Sequence, residues 1–258
     1  MNKNSENNSE KNSEKNSKNK IDKLIESLRI NYKSWIVIFI SLFFLPGESS
    51  FFIKIITFFF MLFLSYYFHY TAHVDTTNAS VHLYHHSHNN FFSHFIQILL
   101  EFVTILFIIP LMYLFNIPIL DNWTIILFYI FYTTVHNINY SIFHVNTIHE
   151  KHHKEVTTNI GPDICDILFD TKYDDDIENT NHYILNIIVA YLVVYSLHSL
   201  WCFSDGIYQI YFPYIFAFIF GVFGSIVLYF TFSCFVFNKV KTFEKKGFDP
   251  DIQEQKCK

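Results

Sequence analysis

Phe51-Phe-Ile-Lys-Ile-Ile-Thr-Phe-Phe-Phe-Met-Leu-Phe-Leu-Ser-Tyr-Tyr-Phe-His69-Tyr-Thr-Ala-His73 decides the fold. Its apolar part, 51–72, carries a single charge, Lys54. At about 1.5 Å per residue, a helix of this length crosses the roughly 30 Å of a bilayer's hydrocarbon core. His69 and His73 then lie about 27 and 33 Å from its start, at one membrane boundary. Residues i and i+4 share a helical face, so the two imidazoles leave the membrane together.

Outward from this span, apolar segments recur at about 35–45, 95–116, 119–143, 183–202 and 207–237. The first is short and ends at Pro46-Gly47; the last is long, with Gly221 and Gly224 as places to bend. The 258 residues are 51% hydrophobic and only 16% charged, with a net charge of −5, against about 25% charged in soluble domains. That excludes a soluble globular enzyme, a disordered chain and a nucleic-acid binder, which would need a basic face. The expected fold is an all-α multispan membrane protein of about six transmembrane helices with a cytosolic histidine-rich cap.

Charge sets the expected topology. With both termini cytosolic, 17 of the 18 Lys and Arg fall on the cytosolic side, and only Lys54 falls opposite. This is the positive-inside bias of three hairpins. The chain divides into five parts. Residues 1–20, all Asn, Lys, Ser and Glu after Met1, have nothing to bury and are expected to be a disordered tail rather than a leader. Residues 21–50 hold an amphipathic stretch (Ile21, Leu24, Ile25, Leu28) and half of the first hairpin. The histidine-bearing domain covers 51–180, a further transmembrane hairpin 181–238 and a cytosolic tail 239–258. The four cysteines form no C-x-x-C pair and no disulfide framework.

Histidine is the chemical signal. Twelve of the 14 His lie between His69 and His153. The first group is His69-x-x-x-His73, then His82-Leu-Tyr-His85-His86; the second is His136 and His149-Glu-Lys-His152-His153. H-x-x-H-H places two or three imidazoles on one helical face. Two spans separate the groups, so both arrive on one face of the membrane. Together they offer enough nitrogens for two metal ions, and imidazole suits iron, copper, nickel and zinc. His136 lies deeper than the rest, inside the apolar layer, where an ionisable residue points to function. His182 and His198 read as interfacial polar residues; His88, His94 and His144 are open. The Phe and Tyr runs read as lipid-facing surface.

In order and spacing, His69/His73, His82/His85/His86 and His149/His152/His153 resemble the three histidine boxes of the fatty acid hydroxylase and sterol desaturase superfamily. Past the last box, Lys154, Asn159-Ile160-Gly161 and Asp166-Ile-Leu-Phe169-Asp170-Thr171 are similar to that family's ending, and His136 resembles its extra histidine. The likeness covers about 51–171. It departs at Asp170, where the family has Gly, at Ile160, where it has an aromatic, and at Tyr140, where some members have a second His. The spans after Thr171 are unusual for the family.

The resemblance implies an integral-membrane di-iron oxygenase that hydroxylates or desaturates a sterol, sphingolipid or fatty acyl chain. Its metal ligands would be His69, His73, His82, His85, His86, His136, His149, His152 and His153, supported by Asp75, Asn159, Asp163 and Asp166. Two iron ions, O2 and electrons from NAD(P)H through a separate reductase or b-type cytochrome follow from the same likeness. So does an endoplasmic reticulum location. Two other readings compete. His149-Glu150-Lys151-His152-His153 also fits His-Glu-x-x-His, the pattern of a membrane zinc metalloprotease. A metal transporter or non-enzymatic metal binder would use the same ligands, although such proteins place them near the bilayer midplane. Glu101, on one face with Gln97 and His94, is the main intramembrane acid.

Overall fold

The computed structural model describes residues 20–74, 82, 86, 91–116, 119–145, 147–155, 157–173, 176–203, 215 and 217–219. Among them every regular element is helical and there is no strand. Helix α1 covers Lys20–Ile30 and α2 Tyr32–Phe44, and the two meet at 71°. The bend falls at Asn31, whose side chain is used elsewhere. Its amide donates to the Glu178 carbonyl at 2.8 Å, and its oxygen accepts from the Thr180 backbone at 2.7 Å. Ser34 Oγ adds a 2.9 Å contact to Thr180 Oγ1. One buried polar junction thus ties the first two helices to a segment about 150 residues later.

Helix α3 is Phe51–Val74, α4 Phe91–Leu106, α5 Ile108–Leu114 and α6 Asn122–Thr134. The short break between α4 and α5 has a local cause. Pro110 has no N–H, and its ring crowds the carbonyl four residues earlier, at Leu106. Asp121 caps α6, its carboxylate accepting from the Thr124 amide and hydroxyl at 2.7 Å each. Lys54 is buried and donates to the Leu45 carbonyl at the end of α2. Its charge therefore satisfies a helix C-terminus rather than reaching for headgroups.

Beyond α6 the helix widens into one π-helical stretch, Val135–Tyr140. Helix α7 (Thr147–Lys154), α8 (Asp163–Phe169), a 3₁₀ turn (Thr180–His182) and α9 (Tyr183–Cys202) complete the described chain. The centre is α6, which packs against α3, α4 and α9. Every residue from Thr124 to Phe131 is buried, so α6 needs apolar side chains all round. The outer helices invert the pattern of soluble proteins. α9 buries Ile187, Ala190, Val194 and Leu197 but exposes Ile188, Leu192, Tyr195 and Leu200. α3 exposes Phe52, Phe60 and Tyr67. An apolar outer surface of this kind is matched to lipid.

Among the described residues, three helical segments are long and apolar enough to cross a membrane: Phe51–His73, Phe92–Leu114 and Thr180–Cys202. The bent pair α1–α2 makes a fourth if it is one broken span. Of the expected six, three or four are thus seen among the described residues. The segment at 35–45 is the 13-residue α2, too short to cross by itself. The α-helical part of 119–143 is the 13-residue, centrally buried α6. The segment at 207–237 lies almost wholly outside the described residues, as do 1–19 and the tail.

Candidate metal centre

Four elements carry histidines to one end of the bundle. The last two turns of α3 bring His69 and His73, the segment before α4 brings His82 and His86, the π-helix brings His136, and α7 brings His149, His152 and His153. One ring nitrogen from each of His69, His73, His82, His86 and His152 lies within 4.8 Å of the others. His82 Nε2 is 3.0 Å from both His73 Nε2 and His86 Nε2, and His152 Nε2 is 3.2 Å from His69 Nε2. Beside this group, His149 Nε2 and His153 Nε2 are 3.2 Å apart. Ring centroids bridge the two sets: 4.2 Å for His86–His153, 6.0 Å for His69–His136 and 5.3 Å for His136–His149. Eight of the nine expected ligands thus form one contact network; His85 lies outside the described residues, as does His88.

The outward-facing nitrogens decide the chemistry. His82 Nδ1 meets Gln97 Oε1 at 3.1 Å, His152 Nδ1 meets the Thr158 carbonyl at 2.8 Å, and His136 Nδ1 meets Glu101 Oε1 at 2.5 Å. Each acceptor draws the ring proton to Nδ1. The Nε2 lone pair of each of these rings is thereby left for another partner, the arrangement that orients metal-binding histidines. Burial lowers the His82 pKa to about 4, with Gln97 opposing the shift. Burial, then the neighbouring imidazoles, also hold His86 and His149 below the ordinary histidine value; burial and then His73 do so for His152. These four rings, His82, His86, His149 and His152, are thereby held neutral at pH 7. Converging lone pairs on neutral, buried imidazoles repel one another unless a cation or shared protons lie between them. The donor set, nitrogen only and borderline-soft, fits a transition-metal ion.

Sequence reasoning missed how the outer support is built. Asp163 pairs with Lys172 at 2.6 Å and accepts from the Glu178 amide at 2.6 Å. Asp166 accepts from Ile160 N at 3.0 Å, Gly161 N at 3.3 Å and the Thr171 hydroxyl at 2.6 Å. Asn159 accepts from Tyr173 N at 3.1 Å and donates to the Ile148 carbonyl at 3.4 Å. These residues shape the loop that underlies α7, and their contacts go to backbone, Thr171 and Lys172 rather than to the imidazoles. Asp75 lies outside the described residues. Gln97 and Glu101 stand directly against the rings instead; their helical spacing with His94 was the available signal. Tyr140, singled out in the sequence where some members of the similar family have a His, stacks on His149 at 4.4 Å and bonds Glu178 and Tyr183, two partners that nothing in the sequence marked. Glu150, itself partly exposed, lies 3.6 Å from the half-exposed His144.

A cavity adjoins the centre. Its wall includes His69, His136 and His149 together with Phe58, Leu62 and Phe131. Comparison of the chain with protein-family models, with curated proteins and with solved structures gives no match.

Proposed function

We propose that this protein is a membrane-embedded, metal-dependent oxygenase that attacks a C–H bond of a lipid, by hydroxylation or desaturation. The observation that carries the reading is the convergence of five buried or partly buried imidazoles from three separate chain segments. An unactivated C–H bond has no acidic proton and no leaving group, so acid–base side chains cannot open it. Bound iron, with O2 and electrons from NAD(P)H through a separate reductase or b-type cytochrome, would supply the oxidising power. His69, His73, His82, His86 and His152 would hold one part of the metal centre, and His136, His149 and His153 the other.

The chain's own task is orientation and exclusion of water. The apolar wall beside His69, His136 and His149 suits an acyl chain or sterol ring entering from the membrane. Asp170 adds support from the backbone. It stands where the similar family motif has Gly, and its φ is 59°, a left-handed conformation that Gly takes freely and Asp tolerates. The zinc-protease reading requires Glu150 to face the metal, and its contact with His144 on the exposed side favours the oxygenase. A cytosolic active face and residence in the endoplasmic reticulum belong to the same proposal.

Metal analysis of the purified full-length protein tests it. About two irons per chain, lost in His152→Ala/His153→Ala and kept in Glu150→Gln, is the expected result. One zinc per chain, with a hydrolytic activity abolished by Glu150→Gln, would install the protease reading. A well-folded protein that takes up no metal would end both.

A further inference from the structure

One carboxylate lies behind both halves of the histidine cluster. Glu101, in the span Phe92–Leu114, is only 4% exposed. Its Oε1 is 2.5 Å from His136 Nδ1 and accepts from Gln97 Nε2 at 3.1 Å, while Oε2 accepts from Asn137 Nδ2 at 3.2 Å. Gln97, one turn earlier on the same helical face, turns its other end to His82 Nδ1 at 3.1 Å. A continuous polar chain therefore runs His82–Gln97–Glu101–His136, its two middle members one turn apart on α4. His82 belongs to the five-imidazole group and His136 to the set around His149. Among the described residues, the imidazole that Glu101 touches is His136, through Nδ1.

We infer that Glu101 is a positioning residue that orients His136 directly and His82 through Gln97, so that one intramembrane carboxylate holds both halves of the metal centre in register. The inference rests on the proposed metal centre. Three features carry it. A buried carboxylate is costly unless cationic charge lies nearby, and an ion held by neutral imidazoles would add positive charge to its side of the membrane. Each link in the chain fixes a ring proton on Nδ1 and leaves Nε2 for the metal. A carboxylate behind a ligating imidazole also raises its donor strength, and loss of such a partner costs about 10–100-fold in metal affinity.

The test uses the full chain in detergent or nanodiscs, stripped of metal and titrated with Co(II). Co(II) reports ligand geometry through its visible absorption. The variants are Glu101→Gln, Gln97→Met and, as a control for lost buried polarity, Asn186→Leu. Asn186 pairs with Asn139 at 2.9 Å and bonds no imidazole. Glu101→Gln is expected to weaken Co(II) binding about 10–100-fold and to shift the absorption band. Gln97→Met is expected to do so more weakly, since it breaks only the arm to His82. Asn186→Leu lowers the melting temperature of the metal-free protein and leaves affinity and spectrum in place. Wild-type affinity and spectrum in both Glu101→Gln and Gln97→Met would overturn the inference while leaving the metal centre intact. If Glu101→Gln does not fold, Gln97→Met alone decides, an unchanged spectrum and affinity overturning the relay. A wild-type protein that binds no Co(II), Zn(II) or Fe(II) overturns the metal centre and this inference together.

Discussion

Gly161→Ala is the most direct test of how the loop after the last histidine box holds α3. A Cβ at Gly161 would stand 2.7 Å from Tyr66 Cδ2. The ring cannot simply swing aside. It stacks on Phe169 at 5.0 Å, and its hydroxyl meets Thr171 Oγ1 at 2.8 Å. Thr171 in turn donates to Asp166, and Asp166 accepts from the Gly161 amide, which closes a ring of contacts. To reach ordinary contact the Tyr66 ring must retreat to about 3.4 Å from the new methyl, and an equal retreat stretches its hydroxyl contact to about 3.5 Å, the limit of a hydrogen bond. Overpacking costs about 1–3 kcal/mol and the lost bond about 1 kcal/mol. We expect a total loss of about 2–4 kcal/mol, read as a lower melting temperature in detergent. Tyr66 lies one turn before His69 on α3, so metal affinity should fall with it. Tyr66→Ala removes the obstacle, and the double variant should be no less stable than Tyr66→Ala alone. Wild-type stability in Gly161→Ala, or strict additivity with Tyr66→Ala, would refute the reasoning.

Other consequences are measurable. Asn31→Ala leaves the buried Thr180 amide and Glu178 carbonyl without their side-chain partner; at about 1–3 kcal/mol per group, amide exchange at Thr180 should accelerate about tenfold or more. Burial raises the Asp166 pKa to about 7, against opposing contacts from Thr171, Gly161, Ile160 and Lys172. The protonated form is favoured by the fold, so its contribution is full below the unfolded value near 3.8 and is lost as pH rises through about 7. Wild-type melting temperature should fall between pH 5 and 8 relative to Asp166→Asn, and parallel pH profiles would contradict this. Chelation should lower the melting temperature of the metal-loaded protein, since an ion at a hundred times its Kd stabilises by about 2.7 kcal/mol. The shift should vanish in His152→Ala/His153→Ala.

Much of the site was legible because ligand spacing is a local property. H-x-x-x-H and H-x-x-H-H align imidazoles by helical geometry alone, and the helices between the two groups, Phe92–Leu114 and α6, carry the chain away and back so that the groups meet. His69, His73, His82, His86, His136, His149, His152 and His153 accordingly share one network. The span count was less legible. Hydropathy sees apolar length, and it cannot separate a helix facing lipid from one enclosed by other helices. α6 is as apolar as α3 yet is buried on every side, while α2 takes its bend from Asn31.

Composition and period determined the long apolar helices, the helical class and the identity of the clustered imidazoles, because these depend on residue type and short-range order. Tertiary structure decided which acceptor stands behind each ring: Gln97 for His82, Glu101 for His136, the Thr158 carbonyl for His152. It also decided that Val135–Tyr140 widens into a π-helix, which buries His136, Asn137 and Asn139 in succession. Partners 15 and 35 residues apart for His82 and His136 are set by how helices pack. No local pattern in the chain encodes that contact, since it exists only once α4 and α6 lie side by side.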